Sequence, residues 1–283
     1  RMMKMERSCA ARPIAWLGNG SCQDCALLGG KAANLCHLAA EFHVPPGFCL
    51  TADAFEPGLL VDRPETPGTL PAPLREEIAE AYRSLARQCG EEDPGVAVRS
   101  SALDEDGAGA SFAGQHDTYL NVIGVEAVVG AVARCWASVS TPRALDYRRR
   151  QGLSLDGARV AVLVQQLVPA DVSAVLFTAN PVTGNRDELV LTSAWGLGES
   201  LVSGTVTPDT FTLRKTDLVL AQQQITEKRR MTVTTPGGTR EVDVPRFLRS
   251  QPTLTQDHVV ELGGLGRALE TRMGHPVDVE CAY

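Results

Sequence analysis

The segment that most restricts the fold is residues 158–168, Ala-Arg-Val-Ala-Val-Leu-Val-Gln-Gln-Leu-Val. Its aliphatic residues fall on both parities of an extended strand, so both faces need cover, and the run reads as a strand buried on both sides. A chain of 283 residues can supply such layers, because that length makes one large domain or two lobes of ordinary size.

Segments with a different rhythm stand on either side of this run. Before it, Gly29-Gly30 opens a helix over 31–40, where Ala32, Leu35, Cys36 and Ala39 recur at helical spacing. Val44-Pro45-Pro46-Gly47 stops that helix, and Phe48-Cys49-Leu50 predicts a short buried strand leading to Thr51, a candidate N-cap for 52–55. The proline- and glycine-rich stretch 57–73 reads as a loop, and 74–89 as a helix with Ile78, Ala81, Tyr82 and Leu85 on one stripe. Val96-Ala97-Val98-Arg99 predicts a strand, 118–122 a second, and 125–138 and 142–151 helices. After the buried run the chain turns β-rich, with strands predicted over 174–179, 188–192, 210–214 and 218–225. A polar connection over 227–252, an amphipathic helix over 256–273 and a closing strand over 277–281 complete the chain. The sum is an α+β (α/β two-lobed) architecture: a lead-in over 1–22, then one domain over 23–283 with approximate lobes 23–157 and 158–283.

Composition removes several function classes. The formal net charge is −7 and the basic residues are scattered, apart from Arg148-Arg149-Arg150 and Lys228-Arg229-Arg230, so no basic stripe points to nucleic acid. Aromatic residues make up only 5% of the chain, too few for a base-stacking platform. There is no apolar run of about 18 residues and no signal-peptide pattern at the start, from which no membrane association and a cytoplasmic location are expected. The eight cysteines are spread through the chain and read as reduced thiols. Cys22 and Cys25 have metal-ligand spacing but no partners to complete a tetrahedral site.

Four places could carry chemistry. At Leu28-Gly29-Gly30-Lys31 a helix start offers backbone N–H groups and a mobile cation to an anion, although a glycine turn with a solvated lysine has the same spelling. Arg99-Ser100-Ser101, at a strand end, offers a planar cation and two hydroxyls; a salt bridge from Arg99 to Asp104, Glu105 or Asp106 is the competing reading. Ala110-Ser111-Phe112-Ala113-Gly114-Gln115 has the small residues that allow backbone to approach a ligand, or simply to connect two strands. Asp278-Val279-Glu280 puts two carboxylates on one face of a strand, suited to Mg²⁺ or merely to solvent.

Together with Val164-Gln165-Gln166-Leu167-Val168, Phe177-Thr178-Ala179-Asn180-Pro181-Val182-Thr183-Gly184 and Trp195-Gly196-Leu197-Gly198-Glu199, these segments resemble, in order, the N-terminal ATP-binding domain of the pyruvate phosphate dikinase, phosphoenolpyruvate synthase and rifampin phosphotransferase family. The resemblance covers about residues 25–283. It implies an ATP-grasp fold with ATP in a cleft between two lobes. By resemblance Lys31 and Arg99 would contact the phosphates and be the catalytic cations. Gly114 and Thr118 would line the phosphate-side loop, Gln165 would sit near the adenine, and Glu280 with Asp278 would hold Mg²⁺.

The resemblance also implies partners. In these enzymes a histidine on a separate domain takes a phosphoryl group from ATP and carries it to an acceptor bound elsewhere. His37, His43, His116, His258 and His275 do not lie in the small-residue, threonine-containing loop of the family's phosphohistidine, and they read as surface or packing residues. A phosphohistidine-carrying domain or chain, an acceptor-binding domain and a small-molecule acceptor, pyruvate or an antibiotic hydroxyl, are therefore expected outside the chain. Relative to the family the C-terminus reads as incomplete, lacking the strand with glutamine and arginine that completes the nucleotide cleft. Cys281 stands where the family often has tryptophan. The alternatives to a dikinase-type phosphotransferase are a non-catalytic nucleotide-binding or truncated module, and an ATP-grasp ligase that passes through an acyl phosphate.

Overall fold

A computed structural model describes residues 13–18, 25–54, 70–103, 118–138 and 160–283, with 141, 146, 149 and 150. The chain divides into two compact units, Arg1–Leu167 and Val168–Tyr283.

The first unit is built on an antiparallel sheet of five strands in the order β1-β2-β5-β3-β4: β1 Ile14–Trp16, β2 Gly47–Leu50, β3 Val96–Ala102, β4 Thr118–Val122 and β5 Val160–Gln166. The doubly apolar run thus forms the central strand, as its composition requires. Although it lies beyond the approximate boundary at 157, it pairs with β2 and β3 in the first unit, and the division falls after Leu167.

Each face of this sheet has its own cover. Val160, Val162 and Val164 join Phe48, Leu50, Val96 and Val98 against helices α2 (Ala72–Cys89) and α3 (Val125–Ser138), which contribute Ile78, Tyr82, Leu85, Val132 and Trp136. On the other face Cys49 and Ala161 meet Leu28, Ala32, Ala33 and Cys36 of helix α1 (Cys25–Leu38). Two of the helix ends have clear causes. Prolines stand at the start of α2, and Gly90 closes it in the left-handed conformation (φ 69°), which glycine adopts without strain. In α1, Gly29 (φ 72°, ψ 162°) breaks the helix, so the continuous helical stretch begins after it. Thr51 does not cap by its side chain: the short 3₁₀ turn Ala52–Ala54 is held by the bond from Ala54 N to Thr51 O at 3.0 Å.

The second unit has a five-stranded antiparallel sheet in the order β12-β6-β7-β8-β9: β6 Val172–Phe177, β7 Glu188–Trp195, β8 Asp209–Arg214, β9 Leu220–Gln224 and β12 Asp278–Ala282. Helix α5 (Gln256–Met273) packs on β6 and β7 and buries Val259, Leu262 and Leu269. The Thr255 hydroxyl caps its start by accepting from His258 N, and Gly274 (φ 75°) ends it. Gly266 lets the helix sit close to the sheet, since a Cβ there would lie 2.8 Å from Leu176 Cδ2.

Between these elements come a one-turn helix, α4 (Glu199–Val202), and a two-stranded ribbon, β10 Arg230–Thr235 with β11 Gly238–Asp243. The ribbon occupies part of the stretch read as a polar connection. Its signal was Pro236-Gly237: Thr235 pairs with Gly238, and Gly237 at φ 78° supplies the positive φ that a proline–glycine turn needs. The structure is thus α+β, as expected. Among the described residues no helix is long and apolar enough to cross a membrane. Cys49, Cys89, Cys135 and Cys281 are free thiols, whereas Cys36 is disulfide-bonded, so the reading of every cysteine as reduced does not hold there.

Candidate functional site

Alternation along β3 decides where Arg99 goes. Val96 and Val98 face α2 and α3, so Ala97, Arg99 and Ser101 face the side covered by α1. Arg99 stands opposite Leu163 on β5 and Thr118 on β4, and paired residues share a face. Gln165, opposite Ala97 and Gly47, lies on that face as well. Three of the residues singled out by sequence, Arg99, Thr118 and Gln165, therefore occupy the side of the sheet on which α1 packs across β3, β5 and β2. The fourth, Lys31, is exposed on α1 two residues after the break at Gly29.

Their surroundings differ. Arg99 is half-buried and Thr118 exposed. Gln165 is half-buried, and its Nε2 donates to Pro45 O at 3.0 Å, which fixes the amide's orientation and directs its carbonyl oxygen elsewhere. Gly47 makes room for Gln165: a Cβ at position 47 would lie 2.6 Å from Val164 O and 2.9 Å from Gln165 Cα. Gly114, with the rest of the segment 104–117, lies outside the described residues.

The predicted carboxylate pair belongs to the second unit. Asp278 and Glu280 are both exposed, while Val279 and Cys281 between and beyond them pack into that unit's core. Strand β12 is a sheet edge, with Asp278 opposite Phe177 and Glu280 opposite Val175. Two exposed carboxylates on one face, about 6–7 Å apart along the strand, suit a hard cation that completes its shell with phosphate oxygens and water. Among the described residues no group of three or more His, Cys, Asp or Glu side chains could hold a metal by itself. The start of β12 is fixed by Thr178, wholly buried, whose hydroxyl accepts from Val277 N at 2.8 Å while its own N–H donates to Val277 O at 2.9 Å.

Other motifs resolve into structure. In Trp195-Gly196-Leu197-Gly198-Glu199, Gly196 has φ 80°, and an added Cβ would collide with Thr232 O of β10. Leu197 N donates to the same carbonyl at 2.8 Å, so this motif seats the ribbon. In Asn180-Pro181-Val182-Thr183-Gly184 the Asn180 side chain accepts from Val182 N and Thr183 N and ties the turn to Glu188. His258 stacks on Tyr283 at 4.8 Å, and His275 is exposed, with Nδ1 2.9 Å from Pro276 O.

Sequence reading missed the most buried ionic group among the described residues. Lys228, spelled within a basic cluster, is fully enclosed with Asp209: Nζ lies 2.6 Å from Asp209 Oδ1, and both side chains have 0% exposure. Asp209 also accepts from Thr226 N, Thr253 N and Thr253 Oγ1, and Thr253 Oγ1 lies 2.6 Å from Ser193 Oγ. A lysine followed by two arginines reads as solvated; nothing local in the sequence marks one of the three as buried.

Comparison with known proteins gives a consistent picture. Residues 66–283 match the family described as pyruvate phosphate dikinase, AMP/ATP-binding domain. A probable phosphoenolpyruvate synthase of Methanocaldococcus jannaschii is 41% identical over 301 residues, covering 95% of this chain and 25% of that protein. The phosphoenolpyruvate synthase of Pyrococcus furiosus is 34% identical, covering 97% of this chain and 42% of that protein. A rifampicin phosphotransferase of Streptomyces sviceus is 42% identical, covering 90% of this chain and 32% of that protein. The chain thus spans between 25% and 42% of the length of these relatives.

Proposed function

The chain belongs to the pyruvate phosphate dikinase AMP/ATP-binding domain family, and from that premise we propose that it binds ATP and serves as the nucleotide-binding part of a dikinase-type phosphotransferase. In that reaction ATP is cleaved to AMP; one phosphoryl group passes through a phosphohistidine on another domain or chain to a small-molecule acceptor, and the other is released as phosphate to water. The acceptor is pyruvate or an antibiotic hydroxyl, the two possibilities suggested by the relatives' names. Cytoplasmic location accords with such a role.

The observation that carries this reading is the gathering of Arg99, Thr118 and Gln165 on the sheet face covered by the helix that bears Lys31. Phosphoryl transfer asks a protein mainly to position the phosphates and to neutralise charge that spreads over their oxygens. Arg99, on a strand, supplies a planar guanidinium in a fixed place, Lys31 a mobile point charge near a helix start, and Thr118 a hydroxyl donor. Gln165, anchored through Nε2, presents a carbonyl acceptor toward the base. Gly114 belongs to the same phosphate-side role. Asp278 and Glu280 would hold Mg²⁺, which when bound neutralises phosphate charge and orients the oxygens.

Two measurements test this. Calorimetry with MgATP should show binding that Lys31→Ala and Arg99→Ala each weaken by at least about tenfold, the scale of one lost charge-assisted contact. With ATP labelled at the β-phosphate and an added histidine domain from a relative, label should appear on the histidine in the presence of Mg²⁺. Binding without transfer would favour a nucleotide-holding module, and absence of binding by the folded chain would sink the reading.

A further inference from the structure

In the first unit the hydroxyls of Thr51, Ser100 and Ser101 are buried and have no hydrogen-bond partner among the described residues. Such groups are rare in folded proteins, because each gives up its hydration with nothing in return, and each asks for an explanation such as a water, an ion or a ligand.

The two serines are neighbours in sequence and enter opposite environments. Ser100 stands opposite Val162, whose side chain belongs to the apolar cluster beneath α2 and α3. Ser101 stands opposite Ala161, on the α1 face, two residues from Arg99 and so about 6–7 Å along the strand. Thr51 is near the other side of Ala161, but two strand spacings, about 9.6 Å, separate β2 from β3. Only Ser101 is close enough to share a ligand with Arg99.

The chemistry that these strands and α1 bring to this face is one-sided. Strands β2, β3, β4 and β5 contain no acidic residue. Apart from Gln165, the polar side chains they turn toward α1 include a guanidinium and hydroxyls, and α1 adds the Lys31 ammonium and the N–H groups that follow the break at Gly29. A set of donors without a carboxylate suits a ligand made only of acceptors, as a polyphosphate is.

We propose that Ser101 is a further phosphate-positioning residue, its hydroxyl donating to an oxygen of the phosphate chain that Arg99 holds. The proposal rests on the reading of this face as the phosphate side. At 1% exposure Ser101 is reached only when its cover shifts, and among the described residues the apolar cluster on this face is the smaller of the two. Helix α1 meets the sheet through Leu28, Ala32, Ala33 and Cys36 against Cys49 and Ala161, whereas the opposite face is filled by Trp136, Tyr82, Phe48, Ile78 and Leu85. Smaller apolar contact and the break at Gly29 favour movement of the N-terminal part of α1, while the disulfide at Cys36 holds the part near its C-terminal end.

The adjacent serine provides the control. Ser101→Ala, Ser101→Cys, Ser100→Ala and Arg99→Ala would be made in the intact protein and titrated with MgATP and with inorganic triphosphate. Ser101→Ala and Ser101→Cys should each weaken both ligands by about tenfold, as expected for one hydrogen bond to a charged acceptor. Ser100→Ala should leave both affinities within about twofold, and neither Ser100→Ala nor Ser101→Ala should lower the melting temperature of the ligand-free protein, since a buried hydroxyl without a partner contributes nothing to the fold. Loss of affinity in Arg99→Ala but not in the Ser101 variants would overturn the role of Ser101 and leave the phosphate face standing. Equal loss in Ser100→Ala and Ser101→Ala would assign the effect to packing and also overturn it. No effect in any variant, or no binding by the wild type, would remove the phosphate face and the proposal together.

Discussion

Replacing Lys228 by methionine tests how the second unit is held together. The side chain keeps its unbranched stem, one atom shorter, and loses its charge, leaving Asp209 enclosed with 0% exposure and without its cation. Two contacts disappear: the ion pair at 2.6 Å and the bond from Nζ to Thr226 O at 2.9 Å. Breaking a buried pair from one side costs about 3–5 kcal/mol, because the remaining charge stays desolvated. Asp209 keeps three donors, Thr226 N at 2.9 Å, Thr253 N at 2.9 Å and Thr253 Oγ1 at 3.0 Å, which places the expected loss at the lower end, about 3 kcal/mol. Since the chain has two units and need not unfold in one step, hydrogen exchange read by mass spectrometry is the suitable assay, with the first unit as internal reference. Amides of β7 and β8 and those around Thr253 should lose protection by about a hundredfold, the equivalent of roughly 3 kcal/mol. Adding Asp209→Asn removes the stranded charge and should restore part of that protection. A single variant that loses less than about fivefold, or a double variant less protected than the single, would refute the argument that an uncompensated charge dominates.

Gly196→Ala should destabilise the second unit by more than about 2 kcal/mol, because φ is 80° and the new Cβ meets backbone of β10 rather than a yielding side chain; an unchanged melting temperature would mean that the ribbon does not rest there. Thiol labelling at pH 8 should modify Cys89 well before Cys49 or Cys281, since burial pushes Cys49 up to about 12, and burial with the nearby Glu280 pushes Cys281 up to about 11. Cys49 labelled as fast as Cys89, by peptide mapping of the folded protein, would contradict its enclosure.

Much of the fold was legible because its apolar periods are strong. The strand 118–122 and the helices 125–138 and 256–273 appear at the predicted bounds. In β10 and β11 most side chains are exposed or half-buried and many are polar, so no period-two apolar signal arises and only the Pro236-Gly237 turn marks the ribbon. The candidate site was legible one residue at a time. Parity along β3 already puts Arg99 opposite in sense to Val96 and Val98, but that Thr118 stands beside it depends on a pairing across the segment 104–117, which no local pattern specifies. The Arg99-Ser100-Ser101 motif offered two hydroxyls without separating them; that Ser101 shares the face of Arg99 and lacks a partner among the described residues is a property of three dimensions.

The central sheet of the first unit also shows why the polar residues collect where they do. Both faces of β5 are buried over 160–164, yet one parity carries Val160, Val162 and Val164 before Gln166, and the other Ala161, Leu163 and Gln165. The valine parity continues through Phe48, Leu50, Val96 and Val98 and is packed by aromatic and aliphatic side chains from two helices, a setting in which an arginine would lose its hydration with no compensating ligand. The other parity is covered by a single helix whose inward residues include two alanines, so charged and hydroxyl groups there stay within reach of solvent or of an anion when the helix gives. Stability and binding are thereby assigned to opposite sides of the same strands. The alternation in β3 that sets Val96 and Val98 on one side and Arg99 and Ser101 on the other follows from that assignment, with Ser100 as the exception on the apolar side: the firmly packed face holds the strand in place, and the lightly covered face can present its donors without unmaking the core.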